Sequence, residues 1–245
     1  MPKQPSSCLM TVTQTTQLTP NMRRITFTSP GLSQYPDTCI GGYIKLIFPT
    51  ESSDKPLMRT YTIRHLRRDL NEIDVDFVTH GDNGIASRWC LSAKTGDTIN
   101  VAGPGSLKQL NTSADWYLVM ADMSAMPAAF VYLETLPETA SGSAYFEILT
   151  EADKQDVKVP SGIQINWHLK ADIRDQTILE NVMNLEFGAG SPGIFIAGEW
   201  SLATEMRRHL REDRKIDRTL PYVSSYWKLG SDDEDHKKLK RSLAS

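Results

Sequence analysis

Arg59-Thr60-Tyr61-Thr62-Ile63-Arg64 reads as a short strand of residue types that favour a pleated, half-buried surface. Side chains alternate along an extended chain, so Arg59, Tyr61 and Ile63 share one side and Thr60, Thr62 and Arg64 the other. A guanidinium fork suits a pyrophosphate, and an aromatic ring two residues on suits stacking against a flat heterocycle. Thr62, beside that ring, adds a small hydroxyl able to bond a polar edge. An ordinary strand with solvent-facing arginines has the same composition, so the stretch needs a second element to acquire meaning.

That element is Asp76-Phe77-Val78-Thr79-His80-Gly81-Asp82-Asn83-Gly84-Ile85-Ala86-Ser87-Arg88-Trp89-Cys90. It reads as a strand, a glycine-containing turn and the start of a helix running from Ile85 to about Ala93. Glycines permit positive φ and close backbone approach. The first N–H groups of a helix are unpaired and lie at its positive end, where phosphate is held well. Opposite Arg59, such an end would clamp a pyrophosphate, and Tyr61 would then stack on the ring system of a flavin dinucleotide. The candidate contacts are Arg59, Thr60, Tyr61, Thr62, Val78, His80, Gly84, Ala86, Ser87 and Trp89, with Tyr61 and Thr62 at the reactive edge. A plain strand-to-helix connection capped by Asp82 or Asn83 is the simpler alternative.

Around these segments the first half of the chain is a series of short strands. They are placed at Leu9–Thr13, Met22–Ser29, Tyr43–Phe48, Arg59–Leu66, Glu72–Thr79 and Thr98–Ala102, and their spacing suggests an antiparallel barrel. After Gly105 apolar strands at Trp116–Ala121, Ser143–Thr150, Gln164–Leu169, Gly193–Ala197 and Pro221–Tyr226 alternate with helical stretches such as Ala128–Leu136 and Leu202–Glu212. Alternation of this kind predicts a mostly parallel, Rossmann-like sheet covered on both faces. The predicted class is therefore β plus α/β, with domains 1–110 and 111–245 and a C-terminal helix.

R-T-Y-T-I-R with D-F-V-T-H-G-D-N-G-I-A-S-R-W resembles the siderophore-interacting proteins, a branch of the ferredoxin-reductase-like flavoenzymes. Gly103-Pro104-Gly105-Ser106, Trp116 to Pro127, Phe195-Ile196-Ala197-Gly198-Glu199 and Tyr226-Trp227-Lys228-Leu229-Gly230 extend the likeness. Only the first residues and the region from Glu151 to Gly193 match poorly. The resemblance implies an FAD-dependent reductase of ferric siderophores, supplied with electrons by NAD(P)H or by ferredoxin. It implies that the flavin lies between barrel and open sheet, with Asp122 and Ser124 on the donor side and Trp227 walling the flavin. Where the family more often has glycine and glutamate, this chain has Ala121 and Met123, and it lacks the G-x-G-x-x-G fingerprint. Glu199 either faces the flavin–donor junction or caps the next helix.

Lys45 interrupts the apolar run Tyr43-Ile44-Lys45-Leu46-Ile47-Phe48, and a buried unpaired ammonium is costly. Its head group either snorkels to water or meets an anionic ligand; the resemblance, which implies a lysine in this strand of the siderophore pocket, favours the second. Ser231 to Arg241 runs from acid to base, with Asp233/Lys237 and Glu234/Lys238 at helical spacing, which suits a self-stabilised terminal helix. Its basic end, Lys237, Lys238, Lys240 and Arg241, is also a candidate for neutralising an anionic iron complex. Arg207, Arg208 and Arg211 read most simply as a solvated helix face, with Lys170 and Arg174 as further cations near strand ends.

Composition sets the limits. The chain has 245 residues, 40% hydrophobic and 23% charged, with a net charge of -3, which fits soluble domains with a real core and argues against nucleic-acid coating. Apolar runs fall short of a membrane span, and Met1 to Thr16 lacks signal-peptide features; the expectation is a cytoplasmic monomer. Cys8, Cys39 and Cys90 form no pair spaced for an iron–sulfur cluster, and the five histidines show no ligand spacing, so no metal site is expected. Two other readings keep the flavin: a general flavin reductase or ferredoxin-type oxidoreductase, and a non-catalytic siderophore-binding flavoprotein.

Overall fold

The computed structural model describes residues 7–49, 56–79, 84–106, 110–172 and 174–230. The chain forms two compact units, Met1–Leu107 and Lys108–Ser245. The first holds β1 (Ser7–Thr19), β2 (Met22–Thr28), β3 (Tyr43–Phe48), β4 (Leu57–Thr62), β5 (His65–Arg67), β6 (Glu72–Val78) and β7 (Thr98–Gly105), with one α-helix among the described residues, α1 (Ile85–Ser92). Its strands lie in the order β4-β3-β7-β1-β2-β6-β5, and every pairing is antiparallel. Alternation decides the faces: Ile25 and Phe27 of β2 join Ile73, Val75 and Phe77 of β6 in the core. Arg24, Thr26, Asp74 and Asp76 fall on the opposite face.

The predicted single strand from Arg59 to Leu66 is broken, and the break is what bends the sheet. β4 stops at Thr62. The Ile63 N–H then donates to the Gly42 carbonyl and the Arg64 N–H to the Asp74 carbonyl, both at 2.9 Å. Within two residues the backbone thus leaves the β3 side and joins β6, curling the sheet into a barrel-like form. Ile63 is wholly buried and Arg64 is 7% exposed, so Arg64 is not the solvent-facing arginine that a plain strand would carry.

Asp74, 2% exposed, is the polar centre of the opposite face. It accepts from Arg67 (2.8 Å to Oδ1), the Thr26 hydroxyl (2.8 Å) and His65 Nδ1 (2.9 Å), while Arg24 forks onto Asp76 at 2.6 and 2.8 Å. Burial alone would push the Asp74 carboxyl up, but hydrogen bonds from Arg67, His65 and Thr26 outweigh it and hold the group well below the usual carboxylate range.

The second unit holds β8 (Trp116–Ala121), β9 (Ser141–Ile148), β10 (Gly162–Leu169), β11 (Pro192–Glu199) and β12 (Tyr222–Trp227), all parallel in the order β10-β9-β8-β11-β12. Helix α2 (Met126–Glu134) is buried from Met126 through Leu133, as a helix apolar all round must be; its Tyr132 stacks on Phe195. Helices α3 (Thr177–Met183) and α4 (Trp200–Arg208) put Ile178, Leu179, Val182 and Met206 against Leu118, Met120, Ile194 and Ile196 of the other face. α4 continues into a π-helical turn, His209–Asp213. α3 escaped the sequence reading because seven residues are too few to establish a helical period. The chain builds outward from β8 to β10, then crosses to β11 and β12, so its direction reverses between β8 and β11. In open sheets of this kind that switch point, outside the carboxyl ends of the strands, is where ligands bind. The expected C-terminal helix lies outside the described residues.

Candidate functional site

In the first unit the site begins on β4. Cross-strand register pairs Arg59 with Leu46, Thr60 with Lys45, Tyr61 with Ile44 and Thr62 with Tyr43. Arg59 and Tyr61 therefore share the face of Ile44 and Leu46, while Thr60 and Thr62 share that of Lys45 and Tyr43. Tyr61 is half-buried and leans on Phe77, with ring centroids 4.2 Å apart. Phe77 in turn meets Trp89 at 6.1 Å, and Trp89 also stacks on Phe27 and lies edge-on to Phe48. A run of rings thus ties β4 to α1, with half-buried Trp89 packed against the barrel core.

Helix α1 starts at Gly84, a residue in extended conformation with no side chain of its own to cap the helix. Ala86 and Ser87 are buried in its first turn. Its other end is closed by Arg23, which donates to the carbonyls of Leu91 (2.9 Å) and Ala93 (3.2 Å), where a cation suits the helix dipole. The opposite end, at Gly84, is the positive one, the end that suits phosphate. Val78 ends β6, half-buried; His80 lies outside the described residues. A guanidinium, a helix N-terminus on a glycine, and a tyrosine braced by a second ring together fit a flavin dinucleotide.

Lys45 is half-buried on the outer face of β3, so it pays no full burial penalty, and its Nζ lies 5.8 Å from the Tyr43 ring centroid. Tyr43, 38% exposed, sits so close over Gly105 that a Cβ there would fall 2.2 Å from the ring. Tyr43 was not singled out beforehand, although the alternation of Tyr43-Ile44-Lys45 already puts it on the lysine's face. Arg23 had no local signal. Lys237, Lys238, Lys240 and Arg241 lie outside the described residues.

In the second unit Asp122, Ser124 and Trp227 meet in one cluster at the carboxyl edge. Asp122 Oδ1 accepts from the Ser124 N–H (2.9 Å), the Ser124 hydroxyl (2.5 Å) and the Ala125 N–H (3.2 Å), and Oδ2 accepts from the Trp227 indole (2.7 Å). Burial pushes this carboxyl up, against the opposing hydrogen bonds of Ser124 and Trp227. Glu199 caps α4 through the Ser201 N–H and takes the Leu229 N–H on Oε1 at 3.1 Å, so the capping role is the one realised. Lys170 is committed to Glu147 at 2.6 Å, Arg207 donates to the Val223 carbonyl and Arg208 pairs with Glu205. Among the described residues no helix is long and apolar enough to cross a membrane.

Comparison with known proteins bears on the family and the cofactor of these two units. Residues 11–56 and 50–107 match the siderophore-interacting FAD-binding domain, and residues 114–230 match the siderophore-interacting protein family. The ferric vibriobactin reductase of Vibrio cholerae serotype O1 is 32% identical over 234 residues, covering 87% of this chain and 86% of that protein. The ferric acinetobactin reductase of Acinetobacter baumannii is 26% identical over 220 residues, covering 89% and 75%. Among solved structures, a siderophore-interacting protein from Aeromonas hydrophila superposes with a TM-score of 0.88 at 32% identity, covering 98% of each chain. With its antiparallel FAD-binding unit, its parallel α/β unit and these relatives, the chain belongs to the siderophore-interacting protein family.

Proposed function

We propose that this protein is an FAD-dependent ferric-siderophore reductase that frees iron by converting Fe(III) to Fe(II) within the chelate. The observation that carries this is the shared face of β3 and β4. Lys45 and Thr62 lie on it together, placing a cation for an anionic substrate beside the residue assigned to the flavin's reactive edge. The names of two relatives, reductases of ferric vibriobactin and of ferric acinetobactin, support the substrate class.

Bound FAD would supply the redox chemistry, able to take up electrons in a pair from NAD(P)H or singly from ferredoxin and to give them out singly. Arg59 and the N-terminal end of α1 at Gly84 would hold its pyrophosphate, Tyr61 its ring system and Thr62 its polar edge, with Thr60, Val78, Ala86 and Ser87 forming the surrounding wall. Lys45 draws in the anionic ferric complex, and the basic tail residues Lys237, Lys238, Lys240 and Arg241 add to that attraction. Reduced iron is the softer, less charged ion and is held far less tightly by hard oxygen chelators. Residues 111–245 receive the electrons, from NAD(P)H or from ferredoxin, in a monomer acting in the cytoplasm.

The acceptor side is tested with Lys45→Ala. At low salt the KM for an anionic ferric siderophore should rise roughly threefold to fivefold, and the difference from wild type should shrink as salt screens the charge. An unchanged KM at low salt, with FAD content equal to wild type, would remove Lys45 from the substrate site.

A further inference from the structure

The face of β3 that carries Lys45 also carries an aromatic ring that electron transfer does not require. Tyr43 stands between two strands, paired with Thr62 of β4 and with Gly105 of β7. The register of β3 on β7 slips here: Lys45 pairs with Ala102 and Tyr43 with Gly105, so β7 spends one residue more than β3. A bulge of this kind re-aims a neighbouring side chain. A Cβ built on Gly105 would lie 2.2 Å from Cζ of the Tyr43 ring and 2.5 and 2.6 Å from its two Cε atoms. A point beyond the ring's edge would be much farther from the Cε atoms than from Cζ, so these near-equal distances place it over the ring's face. The ring therefore lies flat on the backbone at Gly105, and only glycine leaves room for it. Its support is firm, because a Cβ on Gly42 would likewise fall 2.3 Å from the Gly105 carbonyl oxygen. With one face seated on backbone, the exposed 38% of Tyr43 is turned outward. Lys45 Nζ stands 5.8 Å from the ring centroid. An aromatic ring pinned flat and left uncovered is a platform for another ring.

We propose that Tyr43 selects among ferric chelates: it is a stacking platform for an aryl-oxygen iron ligand, a catecholate or phenolate. Complexes built from such rings are then bound in preference to those built from hydroxamates or hydroxycarboxylates. The inference rests on the reading that this face receives a ferric siderophore. All of these chelators bring anionic oxygens, to which Lys45 responds whatever the carbon skeleton behind them. Only the aryl ligands bring a flat ring joined directly to those oxygens. Only they can set oxygen toward the ammonium while the ring lies on the tyrosine. Lys45 thus supplies attraction and Tyr43 supplies discrimination. An aromatic pair strengthens binding roughly threefold to tenfold beyond the burial of its surface, and this part does not fade with salt as the attraction of an exposed charge does.

Gallium(III) carries the charge of Fe(III) but takes no electron from a flavin, so its complexes report binding alone. The probes are gallium(III) tris-catecholate and gallium(III) citrate, both anionic and only the first aromatic. Each is titrated calorimetrically into oxidised, FAD-loaded protein at high salt, where the attraction of Lys45 is screened. Tyr43→Val removes the ring but suits an exposed strand position, and Tyr43→Phe keeps the ring. At FAD content equal to wild type, Tyr43→Val should bind the tris-catecholate roughly threefold to tenfold more weakly and the citrate complex as before. Tyr43→Phe should bind both as wild type does. Tyr43→Thr, equally suited to the strand, takes the place of the valine variant if that one loses FAD. Unchanged tris-catecholate affinity without the ring, equal loss of both complexes, or a Tyr43→Phe protein as weak as Tyr43→Val would overturn the platform and leave the reductase assignment standing. Binding of neither complex by wild type would overturn both.

Discussion

Replacing Asp74 with alanine is expected to cost about 3–5 kcal/mol, the usual consequence of removing one partner from a shielded ionic network. The carboxylate gathers Arg67, His65 and Thr26, and Arg24 stands 3.8 Å away. Without it the buried Thr26 hydroxyl and one side of the partly exposed Arg67 fork lose their acceptor. The melting temperature should fall by on the order of 10 °C, read by circular dichroism. The same residue makes the fold acid-sensitive. Its folded pKa lies below the unfolded value of about 3.9, so its contribution is complete above that value and is lost as pH falls below about 4 toward the folded pKa. Asp74→Asn should therefore flatten the decline in melting temperature between pH 5 and 3. A wild-type melting temperature that holds constant across that interval would contradict the assignment.

Loss of FAD is the expected result of Arg59→Ala, with affinity falling roughly tenfold to a hundredfold, the range for hydrogen bonds to a charged group. Tyr61→Ala should likewise release flavin, but it also removes the ring that rests on Phe77 at 4.2 Å, an aromatic contact of about 0.5–1.5 kcal/mol. Tyr61→Phe separates the two effects, because it keeps both the stacking and the Phe77 contact. Titration of apoprotein with FAD, followed by quenching of flavin fluorescence, should rank Tyr61→Phe near wild type and both alanine variants far weaker. Full FAD content in Arg59→Ala would remove the arginine from the pyrophosphate site.

What could be read in the sequence was local. β3 and β8 fall at their predicted limits, Tyr43–Phe48 and Trp116–Ala121, because an alternating or unbroken apolar run between turn residues leaves little choice. The succession of β6 and α1 was legible for the same reason, and α1 begins at Ile85, where it was expected. The closure at Ile63 and Arg64 was not legible, since extended residues look alike whether they pair with β3 or β6. Nor was the bond from Asp122 to Trp227, whose partners are 105 positions apart; periodicity identifies each strand end but not which ends meet. Arg23 closing α1 from 68 positions away is the same kind of contact. Tyr43 is the exception: its place beside Lys45 followed from strand alternation alone.

The central claim is that electrons pass from the flavin of this protein to iron in a siderophore. It is tested most directly by photoreducing the purified protein without oxygen, adding a ferric siderophore, and following the oxidised-flavin absorbance while a ferrous chelator is present. Rapid recovery of that absorbance, with two Fe(II) captured for each flavin reoxidised, is the predicted result. Reduced flavin that persists in the presence of the ferric siderophore would contradict the account.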